Sequence, residues 1–404
     1  MQAQSRYVPI AVTLAVIFAL AGFTQAAEWP NWRGPNHDGI SQEKGFETRW
    51  ESPPPKVWEA DLGAAYSTFT CVKGRVYTCG TKDKQQVLYC LDAKTGRVTW
   101  ETPFESEYRS DQGSGTRATP TIDGGRVYIQ GGHGYLGCFK ADDGKELWNR
   151  RFSAAPKWGY SGSVLIEGDL AIVMPGGKDG ALLALNKKTG KPVWTCGTSG
   201  AGYATPYPFT FEGRRYIVGF LAKEAMIADA KTGRQVWSMP WETSWDVNAA
   251  SPIFHNGYLF LSSGYGHGAI VVKLSKSGTD LTSAKVWQND TVQCKFQSAV
   301  LHEGHLYSAG ETGLKCVEFA TGREVWAHDR RVKHATIVVA DGHLLVLTER
   351  GQLLIAKASK TGFEPITSVP LLSSKRSWTV PALYRGHLYV RDLHHAACFK
   401  LTRE

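Results

Sequence analysis

The chain has 404 residues, with 46 Lys and Arg against 37 Asp and Glu, a formal net charge of +9. The charged fraction, 21%, is ordinary, and no run of Lys and Arg forms a nucleic-acid arm, so DNA and RNA are set aside as partners. A chain of this length outgrows a usual single core unless it is a repeat array, in which each unit packs only on its neighbours.

Residues 1–26 carry one cation (Arg6), an apolar run from Val8 to Leu20 and small residues around Ala26. This is the pattern of a secretory signal peptide, and the run is too short and wrongly flanked for a membrane anchor. Cleavage there leaves a chain of net charge +8 with no Cys near its new terminus, and no later segment is long and apolar enough to span a bilayer. The mature protein is therefore expected to be periplasmic or secreted, without a transmembrane segment or lipid anchor, and a monomer. Residues 27–50 are read as an N-terminal extension and 51–404 as one domain.

Eight times after that, a Gly-centred turn runs into a short apolar strand, at Gly74, Gly125, Gly168, Gly213, Gly257, Gly304, Gly342 and Gly386. Successive glycines are 38 to 51 residues apart. A period of this length built from short strands predicts an all-β fold, an eight-bladed β-propeller of four-stranded antiparallel blades. About twenty residues after each of five of these glycines, a second turn ends in Gly and is followed four residues later by Trp: Trp100, Trp148, Trp194, Trp237 and Trp326. The Gly supplies positive φ, and the Trp is expected to fill the wide outer gap between neighbouring blades. Blade five stretches the turn before Trp287, and blade seven has Ile366 in place of Trp.

The eighth repeat ends at AACFKLTRE without an outer strand, while Trp58 in KVWEADLG lies before the first repeat. The pattern predicts that this N-terminal strand completes the last blade and closes the ring, removing two open sheet edges.

Cys90, Cys138, Cys316 and Cys398 occupy equivalent strand positions in different blades, too far apart to bridge, and read as small core residues. Cys71, Cys79, Cys196 and Cys294 are left open. The Asp142–Gly144 and Lys178–Gly180 segments read as turns rather than calcium loops. His394 and His395 read as neighbours on a strand, pointing to opposite faces, so no metal site is expected. His133 and His267 fall in Gly-rich loops.

Ligands of propellers sit at the mouth of the central channel, on the loops entering each innermost strand. Eight residues before the hairpin glycines stand Tyr66, Arg117, Tyr160, Ala249, Phe296, His334 and Trp378, with Tyr203 ten before in a blade carrying an insertion. Two positions on come small residues: Thr68, Thr119, Gly162, Thr205, Ser251, Ser298, Thr336 and Val380. Just upstream lie Lys157 and Trp158, Asp246 and Asn248, Lys295, Arg331 and Lys333, Lys375 and Arg376. Two readings stand for this ring. It is a positively focused aromatic funnel for anionic or planar ligands, or it is wedge packing with a solvated cationic rim.

The segments DAKTGRVTW, NKKTGKPVW and DAKTGRQVW and the inner strands ATP, ATP and ASP resemble the PQQ-like β-propeller repeat family across residues 28–404. The opening WPNWRGPNHDGIS looks like the N-terminal element of exported quinoprotein-like repeat proteins of planctomycete-type bacteria. The resemblance implies an eight-bladed propeller with tryptophan docking between blades. It also implies one of two functions. In a quinoprotein dehydrogenase, pyrroloquinoline quinone (PQQ) and Ca²⁺ would sit in the channel, with Trp245, Asp246 and Asn248 nearby, Asp246 as base and Arg117 on a quinone carboxylate. The expected Glu ligand and the adjacent Cys pair have no counterpart here, and the chain is shorter than those catalytic domains. In a BamB-like envelope protein the propeller carries no cofactor and presents loops to a partner, although the lipid-attachment Cys is missing. The missing catalytic groups favour the second: a non-catalytic binding or scaffold protein for an envelope protein or an anionic glycan.

Overall fold

The computed structural model describes residues 28–329, 331–373 and 376–402, so the signal-peptide segment 1–26 and Lys375 lie outside the described residues. Each repeat forms one antiparallel sheet, and there are eight, in chain order with inner strands at 70–72, 121–123, 165–167, 207–211, 253–255, 300–302, 336–340 and 382–384. These are blades one to eight. The chain turns from each inner strand to the next through a tight hairpin whose glycine has positive φ, from 58° at Gly168 to 85° at Gly257. In seven of the eight the residue before it is also left-handed, as at Lys73 (φ 51°) and Asp341 (φ 45°), which is the turn whose twist matches paired strands. A Cβ added at Gly74 would meet nothing within 4 Å, so this glycine serves backbone conformation alone.

The ring closes as the sequence predicts. Lys56–Asp61 pairs antiparallel with His395–Lys400, placing Trp58 opposite Cys398, so blade eight takes its outer strand from the start of the chain. The same opposition recurs in other blades: Trp100 with Cys90, Trp148 with Cys138 and Trp326 with Cys316. All eight cysteines are free and buried, which settles the four left open. Burial pushes the thiols up, Cys79 and Cys398 to about 12 and Cys196 to about 11, so they are inert apolar residues.

Each outer-strand Trp reaches into the next blade. Its indole N–H donates to a turn carbonyl there: Trp58 to Ala93 at 3.0 Å, Trp100 to Ala141 at 3.0 Å, Trp148 to Lys187 at 3.1 Å, Trp194 to Ala230 at 3.2 Å, Trp287 to Phe319 at 2.8 Å and Trp326 to Ser359 at 2.7 Å. Trp237 faces the stretched turn of blade five and bonds the Ser283 hydroxyl instead. The turn glycines that follow the repeat have a second role beyond positive φ. A Cβ on Gly96, Gly144, Gly190, Gly233 or Gly322 would come within 2.5 to 2.7 Å of the docked indole. A buried indole removes roughly 150–250 Å² from water, a gross gain of about 4–6 kcal/mol per blade junction before ordering costs.

The two glycine classes therefore respond differently to substitution. Gly74→Ala is expected to cost about 1 kcal/mol, the price of one left-handed alanine. Gly96→Ala adds displacement of Trp58 and should cost about 3 kcal/mol or more. Urea titration of the two variants checks this, and equal losses would mean that the indole does not rest on the turn.

Residues 28–46 fill the hairpin end of the channel. Trp29, 2% exposed, exchanges backbone bonds of 2.8 Å with Cys71 in blade one. Pro30 accepts from Ile122 N in blade two, Trp32 donates to Ser251 in blade five, and the buried Arg33 donates to Ala299 O in blade six at 2.6 Å. Ile40 and Ser41 then pair in parallel with Val339 and Ala340, making blade seven five-stranded. Burial lowers Arg33 to about 10 and His37 to about 4. One segment thus ties inner strands of five blades together.

Candidate functional site

At the opposite end of the channel a cavity of about 520 Å³ opens where the chain enters the inner strands. Trp32, from the plugging segment, is part of its lining and closes it from below. Of the residues placed on this ring by counting, Tyr66, Arg117, Tyr203, Ala249, Phe296 and Trp378 line it, as does Trp158. Tyr66 stacks on Trp378 with centroids 5.4 Å apart, and Phe296 lies 4.5 Å from Trp378. His334 lies behind this wall, stacked on Phe296 at 5.3 Å, and burial lowers its pKa.

Below the ring, the small residues do more than save space. Thr68 N–H donates to Thr119 Oγ1 at 3.1 Å, Thr119 N–H to Ser163 Oγ at 2.9 Å, Ser163 N–H to Thr205 Oγ1 at 2.9 Å, and Ser251 N–H to Ser298 Oγ at 2.9 Å. Thr336 Oγ1 bonds Thr379 O, and Thr68 Oγ1 bonds Val380 O across the closure. Hydroxyls here satisfy inner-strand N–H and C=O groups that no neighbouring strand can reach. In blade three the residue that does so is Ser163, not Gly162.

Several expected site residues are placed elsewhere. Tyr160 is 2% exposed, donates its hydroxyl to Pro175 O at 2.7 Å and packs on Phe152, so it belongs to the wedge and not the funnel. Asn248 is fully buried. Its amide donates to Leu221 O, Ala222 O and Trp241 O, and its carbonyl accepts from Ser263 and Thr243, so it holds three loops and has nothing left for a ligand. Asp246 is half-buried beside the cavity without lining it. Lys333 is exposed on the preceding turn, and Arg376 packs over Trp378 at 5.4 Å.

The charge balance also differs from the expected seven cations to one carboxylate. Arg331 pairs with Asp329 at 2.6 Å and Lys295 with Glu311 at 3.2 Å, while Glu349 accepts from Trp378 Nε1 at 2.7 Å and Asp111 lies on the rim. Glu311 and Glu349 stand on turns distant in the chain from Lys295 and Trp378, which a local count does not see, whereas Asp329 is only two residues from Arg331. Sequence counting also missed Trp32, and it did not reach Trp245, which only the family resemblance had named. Both stand outside the eight-residue offset, although Trp32 was in plain view in the motif WPNWRGP. His394 lies in the turn before the last strand, and its N–H, like that of His395, donates to Asp392 at 2.8 Å. Lys178 lies in a short 3-10 turn, Gly177–Asp179, and His133 and His267 are loop histidines set against Tyr108 and Trp241.

The arrangement is a blind aromatic funnel with cations laid on its rings. Of the residues named for PQQ and Ca²⁺, Trp245 and Arg117 line the cavity, and Asp246 and Asn248 do not. A hard cation needs a cluster of oxygen donors, and no group of three His, Cys, Asp or Glu side chains converges among the described residues. Asn248 is spent on backbone carbonyls, as above.

A repeat-family description reading outer membrane protein assembly factor BamB matches residues 48–207, 109–307 and 227–364, which together span most of the chain. The chain belongs to this family of PQQ-like repeat propellers. Among curated relatives it is 25% identical over 232 residues to the outer membrane protein assembly factor BamB of Burkholderia pseudomallei, covering 46% of this chain and 60% of that protein. It is 23% identical over 298 residues to the BamB of Shewanella oneidensis, covering 69% and 72%. Among solved structures it resembles BamB from Moraxella catarrhalis (TM-score 0.61, 15% identity, 87% of this chain and 98% of that one). It also resembles a europium-containing methanol dehydrogenase (TM-score 0.66, 14% identity, 90% and 89%). Likeness at such identities shows a shared fold, and the fold hosts both binding proteins and enzymes.

Proposed function

We propose that this chain is an exported, non-catalytic binding or scaffold protein of the cell envelope, engaging its ligand or partner at the funnel. One observation carries the reading. Asn248, the amide that quinone chemistry would call on, is used to hold loops, while the aromatic rings are left facing the cavity. Export is supported by the composition of residues 1–26, and an envelope role by the named function of the curated relatives. No helix among the described residues is long and apolar enough to cross a membrane.

The reading is tested in two arms. Titration of the mature protein with PQQ and Ca²⁺ is followed by tryptophan fluorescence, to which Trp32, Trp158, Trp245 and Trp378 at the cavity would respond directly. The expected result is no calcium-dependent binding, and stoichiometric calcium-dependent binding would establish the quinoprotein alternative instead. In the second arm, a photo-crosslinking amino acid replaces Trp378 at the funnel or Val193 on the outer strand of blade three. Envelope adducts are expected at Trp378 only, and adducts confined to Val193 would move the binding surface to the rim.

A further inference from the structure

The blade-three side of the funnel holds an unusual bracket. Trp245 is 61% exposed, although a large apolar ring gains by burial, and it stands in the left-handed backbone region (φ 65°), as does Asp246 after it (φ 55°). Two consecutive non-Gly residues in that region are strained, and such strain gathers at ligand clamps. The Trp245 ring meets Trp158 edge to face with centroids 6.3 Å apart, and Lys157 Nζ lies 3.8 Å from the Trp245 centroid and 5.0 Å from that of Trp158.

Next to it, Arg117 lies over Tyr108 at 4.9 Å and Tyr66 at 5.6 Å, and donates to Gly113 O and Gly115 O. Neither Lys157 nor Arg117 has a carboxylate at ion-pair distance among the described residues. The other cation of the lining, Lys295, is neutralised by Glu311. The rim carboxylate, Asp111, is bonded to Ser110 and Gln112. Burial lowers the pKa of Arg117, with Asp111 and the neighbouring tyrosines opposing it. Two cations without an ion-pair partner, set against the single carboxylate Asp111 in a lining of flat rings, call for a ligand bringing both a negative charge and a face to stack on.

The polar lining narrows the class. Ser161, Thr205 and Gln112 are part of the lining; Ser161 Oγ donates to Tyr203 O and Thr205 Oγ1 accepts from Ser163 N–H, which leaves the first an acceptor and the second a donor that ligand hydroxyls, and not a wholly apolar ring, would use. A sugar ring presents C–H faces to indoles and hydroxyls to such groups. The cavity, about 520 Å³ and open at its mouth, is of a size for a few such units rather than for a flat protein interface. Resting on the proposal that the funnel is a binding site, we infer that it takes a carboxylate-bearing saccharide, with the uronate carboxylate between Lys157 and Arg117 and a sugar face on Trp245 and Trp158.

Calorimetric titration of the mature protein with trigalacturonate tests this against the same trisaccharide as its methyl ester, which keeps the ring and removes the charge. Binding of the acid is expected, weakened about tenfold or more by esterification and about tenfold by Lys157→Met or Trp245→Ala. Both side chains are exposed, so the variants should keep the parent's thermal transition. Failure of the acid to bind, equal binding of the ester, or equal competition by sodium acetate would overturn the inference. If the acid fails while Trp378 crosslinks persist, the ligand class is wrong and the funnel still binds. If both fail, the funnel reading falls with it.

Discussion

Deleting residues 50–62 is expected to leave a protein with no cooperative unfolding transition, recovered largely as aggregate. The deletion removes Lys56–Asp61 and so strips the outer strand from blade eight, leaving His395–Lys400 with an unpaired edge. That edge carries Ala396, Ala397, Cys398 and Phe399, all buried in the native ring, a sequence suited to pairing with another chain. The same cut removes Trp58, whose indole lies on Gly96 and bonds Ala93 O, so blades eight and one lose their docking joint. Trp58→Ala separates the two effects. It keeps the strand and should cost about 3–5 kcal/mol while retaining a sigmoidal urea transition. A deletion variant that melted cooperatively within a few degrees of the parent would show that the strand is not what closes the ring.

Replacing Arg391 should be among the most damaging single changes. This residue is fully buried at the junction of blades eight and one, and its guanidinium donates to Cys79 O at 2.6 Å, Gly63 O and Thr78 Oγ1 at 3.1 Å, and Ser67 O and Leu393 O at 3.3 Å. Its Nε donates to Asp392 O at 3.1 Å. No carboxylate pairs with it among the described residues, and burial lowers it to about 10.

Two effects oppose each other in Arg391→Met. Removing the desolvated charge relieves roughly 3 kcal/mol. Abandoning the buried acceptors costs about 1–3 kcal/mol each. With several acceptors losing their donor the second effect wins, and a net loss on the order of 3 kcal/mol is expected. Arg391→Lys is predicted to be worse than Met, because it keeps the buried charge and supplies at most three donors without the planar fork. Urea denaturation of both variants decides, and a Lys variant within about 1 kcal/mol of the parent would show that charge rather than fork geometry matters here.

Arg391 also shows where sequence reading stops. In the linear chain it is the end of a strand reading HLYVR, and nothing local marks it as a staple between the first and last blades. Tyr160 fell on the expected ring by spacing and Asn248 just upstream of it, yet their side chains turn into the wedge and the loops. Spacing places a backbone at a height on the ring, whereas the direction of each side chain is set by the loop that carries it. The cations were misjudged for a related reason: Glu311 and Glu349 stand on other turns and meet Lys295 and Trp378 only in the folded ring, whereas Asp329, two residues before Arg331, was legible in the chain and was left out of the count.

What the sequence determined by itself was everything that repeats. Glycines needing positive φ recur once per blade, a tryptophan recurs one turn later, and the missing eighth outer strand is announced by Trp58 at the other end of the chain. These are local demands of backbone conformation and volume, so they leave a mark at a fixed spacing. The tertiary structure alone decided what happens once. It put Trp32 beneath the funnel, drew residues 28–46 into the channel against five blades, and stood Trp245 in the open beside Lys157. Each of these depends on side chains from distant blades arriving at one axis, and a meeting of that kind has no period for a sequence to carry.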